Sequence, residues 1–432
     1  MIKIEEIVEE PLNALWKKYS NQWFTELPPL YPKEIKVSGI IFIGINPSIK
    51  DEERTEVLKL GKNASKTYDL HGEHKQHPYF KKFIEIEEKT ALPWTHFDLL
   101  YIRETKQSKV RDLLKTEAGL DFIYQQCLLT KQIIDRLISQ ETKKIFIVNN
   151  TLARLLLGQE KTMDKEGKRI NVWMGYDFNW NESIGTYTLN GHPFFFTSML
   201  TGQRALDKGS FERLIWQIEL ANIYLHHKIK DTTLKQQFEI KGCFYDKKKQ
   251  GYRSLLTIKR KKVKGEASDL FVVMMNPGGS EPLEESYDKN KLVRAKPDST
   301  QYQIMRLMKL LHFNFATIIN LSDCRGAKSS KFIKQLSDGE IKYDAHSIFD
   351  EKRKKELNTL LEKNSPTLIA WGLSEKLIDL KSDALNKLSA QKVFGYQKRG
   401  SQLHYYHPIQ FNAQLKFDWL KNTYYAFKKV YQ

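Results

Sequence analysis

Cysteine is scarce: the 432 residues hold only three, Cys127, Cys243 and Cys324, far apart and in no paired spacing. That excludes a disulfide framework, a zinc ribbon and a four-cysteine iron–sulfur cluster, and leaves buried free thiols. Long apolar runs are missing too, since Ile40–Ile45 and Phe194–Phe196 fall far short of the roughly 18 residues that span a bilayer. Met1–Glu10 carries four glutamates rather than the basic start of a secretory leader. A soluble, cytoplasmic protein with no membrane partner is expected. Negative charge is in deficit, with Lys+Arg 70 against Asp+Glu 52, a net +18. Such a surplus attracts polyanions through counterion release, or it reflects a lysine-rich surface without a partner; charge alone does not choose. Present in ordinary measure are hydrophobic residues at 41% and aromatics at 12%, which exclude a disordered chain. At roughly 100–200 residues per domain, the length predicts at least two.

Between Leu225 and Glu266 the pattern changes to a lysine-crowded stretch that includes Lys247–Lys249 and Lys259–Lys262, with Tyr252–Ile258 as a short strand. It predicts a first domain over 1–228, a basic connector or hairpin over 229–265, and a second domain over 266–432. The same order of elements occurs on both sides. Strand Val37–Ile45 enters Asn46-Pro47, and strand Asp269–Met275 enters Asn276-Pro277. A helix follows, His77–Glu88 or Ser299–Leu311, then a second strand, Phe97–Ile102 or Ala316–Leu321. A third strand leads into a helix, Lys144–Val148 into Thr151–Leu157 and Thr367–Trp371 into Leu373–Leu380; the last strands are Phe194–Ser198 and Leu403–Tyr406. Continuous apolar strands alternating with helices predict an α/β fold with a parallel sheet, present twice. Ligands in such sheets bind at the carboxyl ends of the strands, where both Asn-Pro turns lie.

Asn46, held at a strand exit before a proline, either makes a local Asx turn or holds a water and donates to developing charge. Gly44-Ile45-Asn46-Pro47, followed by His77-Pro78-Tyr79-Phe80-Lys81-Lys82-Phe83, resembles the first motif and following helix of mismatch-type uracil/thymine DNA glycosylases, in the uracil-DNA glycosylase superfamily. The resemblance implies tandem three-layer αβα domains with central parallel sheets. It makes Asn46 the residue that positions the attacking water, with Ile45 and Pro47 beside the substrate. The second motif of that family, a loop after the last strand, corresponds to Ser198-Met199-Leu200-Thr201, followed by Gln203, Arg204 and Lys208. By resemblance Ser198 holds a phosphate and Leu200 fills the gap left by a flipped base, with Thr201, Gln203, Arg204 and Lys208 on DNA. The family's histidine is missing before Ser198. His192-Pro193 is read as structural, because Asn190-Gly191 forms a tight turn that starts a strand at His192.

Asp98 stands where the family carries a base-reading Asn. An ionised carboxylate only accepts hydrogen bonds, which favours the N4 amine of a cytosine-type base; a capping or salt-bridged Asp is the alternative. Tyr79 and Phe80 are candidates to stack on the base, with Phe83 assigned to the core. The second half resembles an uncharacterised bacterial domain family that opens with a Tyr-Arg hairpin and a Met-x-Asn-Pro loop, here Tyr252-Arg253 and Met274-Met275-Asn276-Pro277. There Asn320 takes the place of Asp98, and His407-Pro408 supplies the second-motif histidine, with Ile409 in place of the serine. The expectation is a monofunctional glycosylase acting on duplex or single-stranded DNA, without metal or cofactor, in base-excision repair or anti-phage defence. Asn46, Asn276 and His407 are its candidate catalytic residues, and the first half is preferred for its wedge and basic loop. A non-catalytic nucleic-acid-binding protein and an enzyme on free nucleotides, which needs a closed pocket, are the competing readings.

Overall fold

The computed structural model describes residues 1–37, 39–70, 77–158, 161–163, 169–171, 173–202, 205–247, 250–265, 267–284, 287–288, 291–326, 328–341, 345–361 and 365–431. They form two compact units, Met1–Ala221 and Asn222–Gln432, each a mixed α/β structure. Among the described residues no helix is long and apolar enough to cross a membrane.

The first unit is built on a six-stranded sheet in the order Asn179–Asn181, Thr186–Leu189, His192–Phe196, Ile145–Val148, Ile40–Gly44, Trp94–Asp98. The last four are parallel, and the first two extend the sheet antiparallel. Every residue of Ile40–Gly44, Trp94–Asp98 and Ile145–Val148 is buried, the continuous burial that helices on a parallel sheet produce. Asn150 starts the helix Thr151–Leu157 by accepting from the Leu152 and Ala153 amides, and Gly158 ends it in the left-handed region. Asn190 and Gly191 both have positive φ, 50° and 77°, the conformation a two-residue hairpin needs between Leu189 and His192.

The second unit has a seven-stranded sheet in the order Val293–Arg294, Phe238–Lys247, Gln250–Arg260, Phe315–Asn320, Leu270–Met274, Thr367–Ile369, Val393–Phe394, again with the last four parallel. Numbered along the chain, the four parallel strands of each unit run 2-1-3-4 across the sheet. The basic segment 229–265 carries a hairpin that is part of this sheet. Buried Phe238, Ile240 and Phe244 alternate with partly exposed Glu239, Lys241 and Cys243, so part of the basic composition lies on the outer side of a strand.

Several strands end elsewhere than expected, Phe194–Ser198 being His192–Phe196, Val37–Ile45 being Ile40–Gly44 and Thr367–Trp371 being Thr367–Ile369, and two more depart for identifiable reasons. The expected Phe97–Ile102 is Trp94–Asp98, because the partner strand ends at Gly44 and leaves the chain beyond Asp98 to form a loop, closed by Leu99 and Leu100 amides on the Gly44 and Ile45 carbonyls. The expected Leu403–Tyr406 makes only isolated bridges of Tyr405 to Gly372 and Gln397; the fourth parallel strand is the dipeptide Val393–Phe394, too short to leave a periodic signal.

Candidate functional sites

The Asn-Pro turns sit at the carboxyl end of the first parallel strand of each unit, and their asparagines do the same thing. Asn46 Nδ2 donates to the carbonyls of Glu104 (2.6 Å), Pro47 (3.0 Å) and Ile102 (3.2 Å). Asn276 Nδ2 donates to those of Gly326 (3.0 Å) and Cys324 (3.4 Å). Relative to Asp98 and Asn320 the accepted carbonyls lie at the same offsets, four and six residues on, so the two sites are superimposable in sequence register. Each side chain ties the exit loop of the first strand to that of the second. They differ at the amide oxygen: Asn46 Oδ1 accepts from Gln107 Nε2 at 3.2 Å, whereas no described residue donates to Asn276 Oδ1. Ile45 and Pro47 are buried beside Asn46.

In the first unit Asp98 lies directly over the neighbouring strand, where a Cβ on Gly44 would come within 2.1 Å of Asp98 Oδ1. Burial pushes the Asp98 carboxyl up to about 8, and the basic group beside it, His96 with Nε2 at 3.6 Å, is itself pushed down to about 3 by burial. The contact therefore joins two neutral groups rather than an ion pair. At neutral pH the carboxyl keeps its proton and both donates and accepts, which corrects the acceptor-only premise behind a cytosine preference. Tyr79 is partly buried, and its hydroxyl accepts from Asn149 Nδ2 at 3.2 Å. Burial, and then the Asp98 charge, raises its hydroxyl pKa. Phe80 stacks on Trp94 (5.4 Å between centroids) and Phe83 on Phe42 (3.9 Å), so both belong to the core and only Tyr79 is left with an accessible ring. Phe80 as a base-stacking residue is thereby corrected.

The loop after the fourth strand also departs from expectation. Ser198 and Lys208 are exposed and Thr201 half-buried, but Leu200 is only 2% exposed, because the Leu206 amide donates back to Met199 O and folds the loop onto itself. Leu200 is a core residue here, not a presented wedge. Gln203 and Arg204 lie outside the described residues. His192 is structural, with Nδ1 accepting from the Lys144 amide (3.1 Å) and Nε2 against Ile138 O.

The second unit brings together a different set. Asn320 is fully buried with neither Nδ2 nor Oδ1 hydrogen-bonded, beside Met274 on the adjacent strand. His407 Nδ1 accepts from the Ile409 amide at 3.2 Å, which places the ring proton on Nε2, and burial pushes its pKa down to about 4 against the pull of Asp298. Arg253, on the hairpin strand, is 2% exposed with no partner at Nε or Nη1. Asp298 caps the helix Ser299–Leu310 through bonds from the Thr300 and Gln301 amides. Residue types and spacing did not mark His96 or the buried state of Arg253. The alternation His96-x-Asp98 on one strand face was the available signal for the first, and the second depends on distant neighbours. Among the described residues no group of histidine, cysteine and acidic side chains is arranged to hold a metal ion.

Comparison of the chain with protein-family models, with curated proteins and with solved structures gives no match.

Proposed function

We propose that the chain is a DNA glycosylase that hydrolyses the N-glycosidic bond of an extruded base, with the chemistry in the second unit. The observation that carries this reading is the asparagine bridge, built twice at the same offsets, with a buried polar side chain, Asp98 or Asn320, at the end of the next strand. Three features favour the second unit. Asn276 Oδ1 is free to accept from a water, Asn320 offers an unused donor and acceptor to a base edge, and His407 presents Nε2–H. A histidine held neutral, with its pKa near 4, does not deliver a proton at neutral pH. It stabilises negative charge on the departing base by a hydrogen bond that strengthens as the charge develops. Tandem glycosylase-like αβα domains, base-excision repair or anti-phage defence, and a cytoplasmic site of action belong to the same reading.

The second reading is a nucleic-acid-binding protein that keeps the fold without the reaction. It is favoured by the first unit, where Leu200 is buried and Asn46 has both ends of its amide engaged.

The deciding experiment incubates the protein with duplex and single-stranded DNA carrying uracil, thymine mismatches, hypoxanthine and modified cytosines, then cleaves abasic sites with alkali. Strand scission abolished by Asn276→Ala and retained in Asn46→Ala is expected. Scission lost only in Asn46→Ala moves the chemistry to the first unit. Salt-sensitive binding with no scission on any base establishes the second reading.

A further inference from the structure

We propose that the second unit takes a single nucleotide, free or as one residue of a strand, with its phosphate on Arg253 and its base edge on Asn320. The base contact rests on the glycosylase reading; the phosphate contact does not.

Arg253 stands between the bridge Tyr252–Cys324 and the pair Leu256–Ile318, so its strand runs along the end of the second parallel strand, which carries Asn320. Its amide donates to Asp323 O at 2.8 Å, but among the described residues the guanidinium makes no ion pair, and Nε and Nη1 have no hydrogen-bond partner. A buried cation without hydrogen bonds is costly, by several kcal/mol in typical proteins, unless an anion completes it. Two carboxylates, Asp298 and Asp323, act on Arg253 through space, but neither is hydrogen-bonded to its guanidinium among the described residues. Asp298 Oδ1 accepts from the Thr300 (2.9 Å) and Gln301 (3.1 Å) amides. Asp323 Oδ2 is 2.6 Å from Arg353 Nη1 and accepts from the Tyr245 hydroxyl at 3.0 Å.

Three further features identify the ligand. Asn320 is 0% exposed with both amide atoms unused, a donor and an acceptor side by side, the pattern of a pyrimidine's hydrogen-bonding edge. Asp298 acts electrostatically on both Arg253 and His407, so these groups surround one place at the carboxyl ends of the strands. A cation for an oxyanion and an amide for a base edge are the two contacts that one nucleotide needs.

The test uses the full chain and calorimetric titration with 2′-deoxyuridine and 2′-deoxycytidine 5′-monophosphates, their nucleosides, inorganic phosphate and a short single-stranded oligonucleotide. A monophosphate is expected to bind at least about tenfold more tightly than its nucleoside, a preference that Arg253→Met abolishes and Arg253→Lys partly keeps. Without ligand, Arg253→Met should unfold at the same temperature as the wild type or a higher one, because it removes an unpaired buried charge. Equal affinity for nucleotide and nucleoside, or a preference that survives in Arg253→Met, overturns the phosphate contact. Inorganic phosphate binding as tightly as the nucleotide, or Asn320→Ala leaving affinity unchanged, overturns the base contact. Preference for the free monophosphate over the oligonucleotide, or the reverse, identifies the source of the ligand. Monophosphate binding without strand scission on any DNA leaves the Arg253 site standing and removes the glycosylase reading; scission without any phosphate preference does the opposite.

Discussion

The two units share four parallel strands in the same order and the same asparagine bridge, yet each extends its sheet at the opposite edge. In the first, the antiparallel strands Asn179–Asn181 and Thr186–Leu189 lie beyond the fourth parallel strand. In the second, the hairpin Phe238–Lys247 and Gln250–Arg260 lies beyond the second. That choice of edge decides the chemistry at the end of the second strand. In the second unit the hairpin brings Arg253 onto the loop that follows Asn320, its amide on Asp323 O. In the first, no strand pairs there among the described residues, and Asp98 is surrounded instead by His96, Tyr79 and the Gly44 backbone. One framework thus yields a protonated carboxyl among aromatic rings in one copy and an unsatisfied amide and a buried arginine in the other.

The largest difference to be measured is the pH dependence conferred by Asp98. Its carboxyl titrates at about 8 in the folded protein, against ~4 in the unfolded chain. The protonated form's contribution is fully present below pH ~4 and is lost as the pH rises through about 8. The stability of the wild type minus that of Asp98→Asn should therefore fall by up to about 1.4 kcal/mol per pH unit across that window. Urea denaturation at several pH values checks this, and a flat difference would show that the carboxyl is solvated or paired. Asp98→Asn makes the first unit like the second, where Asn320 does not titrate.

Next in size is the close approach at Gly44. The corresponding residue in the second unit, Met274, pairs with Asn320 as Gly44 pairs with Asp98, and it accommodates a long side chain. Gly44→Ala should cost about 2–3 kcal/mol, since its methyl group meets the Asp98 carboxyl. The double variant Gly44→Ala/Asp98→Ala should recover most of that loss in a double-mutant cycle. Independent, additive effects would mean that the carboxyl swings aside freely.

The smallest effect sharpens the equivalence of the bridges. Asn46→Ala should destabilise by about 2 kcal/mol and Asn276→Ala by about 1 kcal/mol, because Asn46 serves three carbonyls and accepts from Gln107 while Asn276 serves two. Equal losses by chemical denaturation would show that the extra contacts of Asn46 carry no stability.

Much of the fold could be read in advance from local signals. The helix Thr151–Leu157 has the bounds expected from its apolar spacing, framed by Asn150 and Gly158, and the Asn190-Gly191 turn places His192 as its residue types required. Buried strands were recognised from continuous apolar runs, but their ends were not. The run from Phe97 to Ile102 is apolar except for Asp98, and its strand stops at Asp98 because its partner stops at Gly44. The candidate sites were legible as positions and not as states: Asn46, Asp98, Asn276 and Asn320 all lie at strand ends, while the burial of Leu200 and Phe80 was not foreseen.

By itself, then, the sequence determined the repeat, the parallel strands and their Asn-Pro exits, because periodicity, capping and turn chemistry act over a few neighbouring residues. Only the tertiary structure decided that Asp98 keeps its proton, that Asn46 spends its amide on Glu104 and Ile102, and that Arg253 Nε and Nη1 are buried with no hydrogen-bond partner among the described residues. Desolvation and hydrogen-bond satisfaction depend on atoms brought in from distant parts of the chain, and no local pattern encodes their sum.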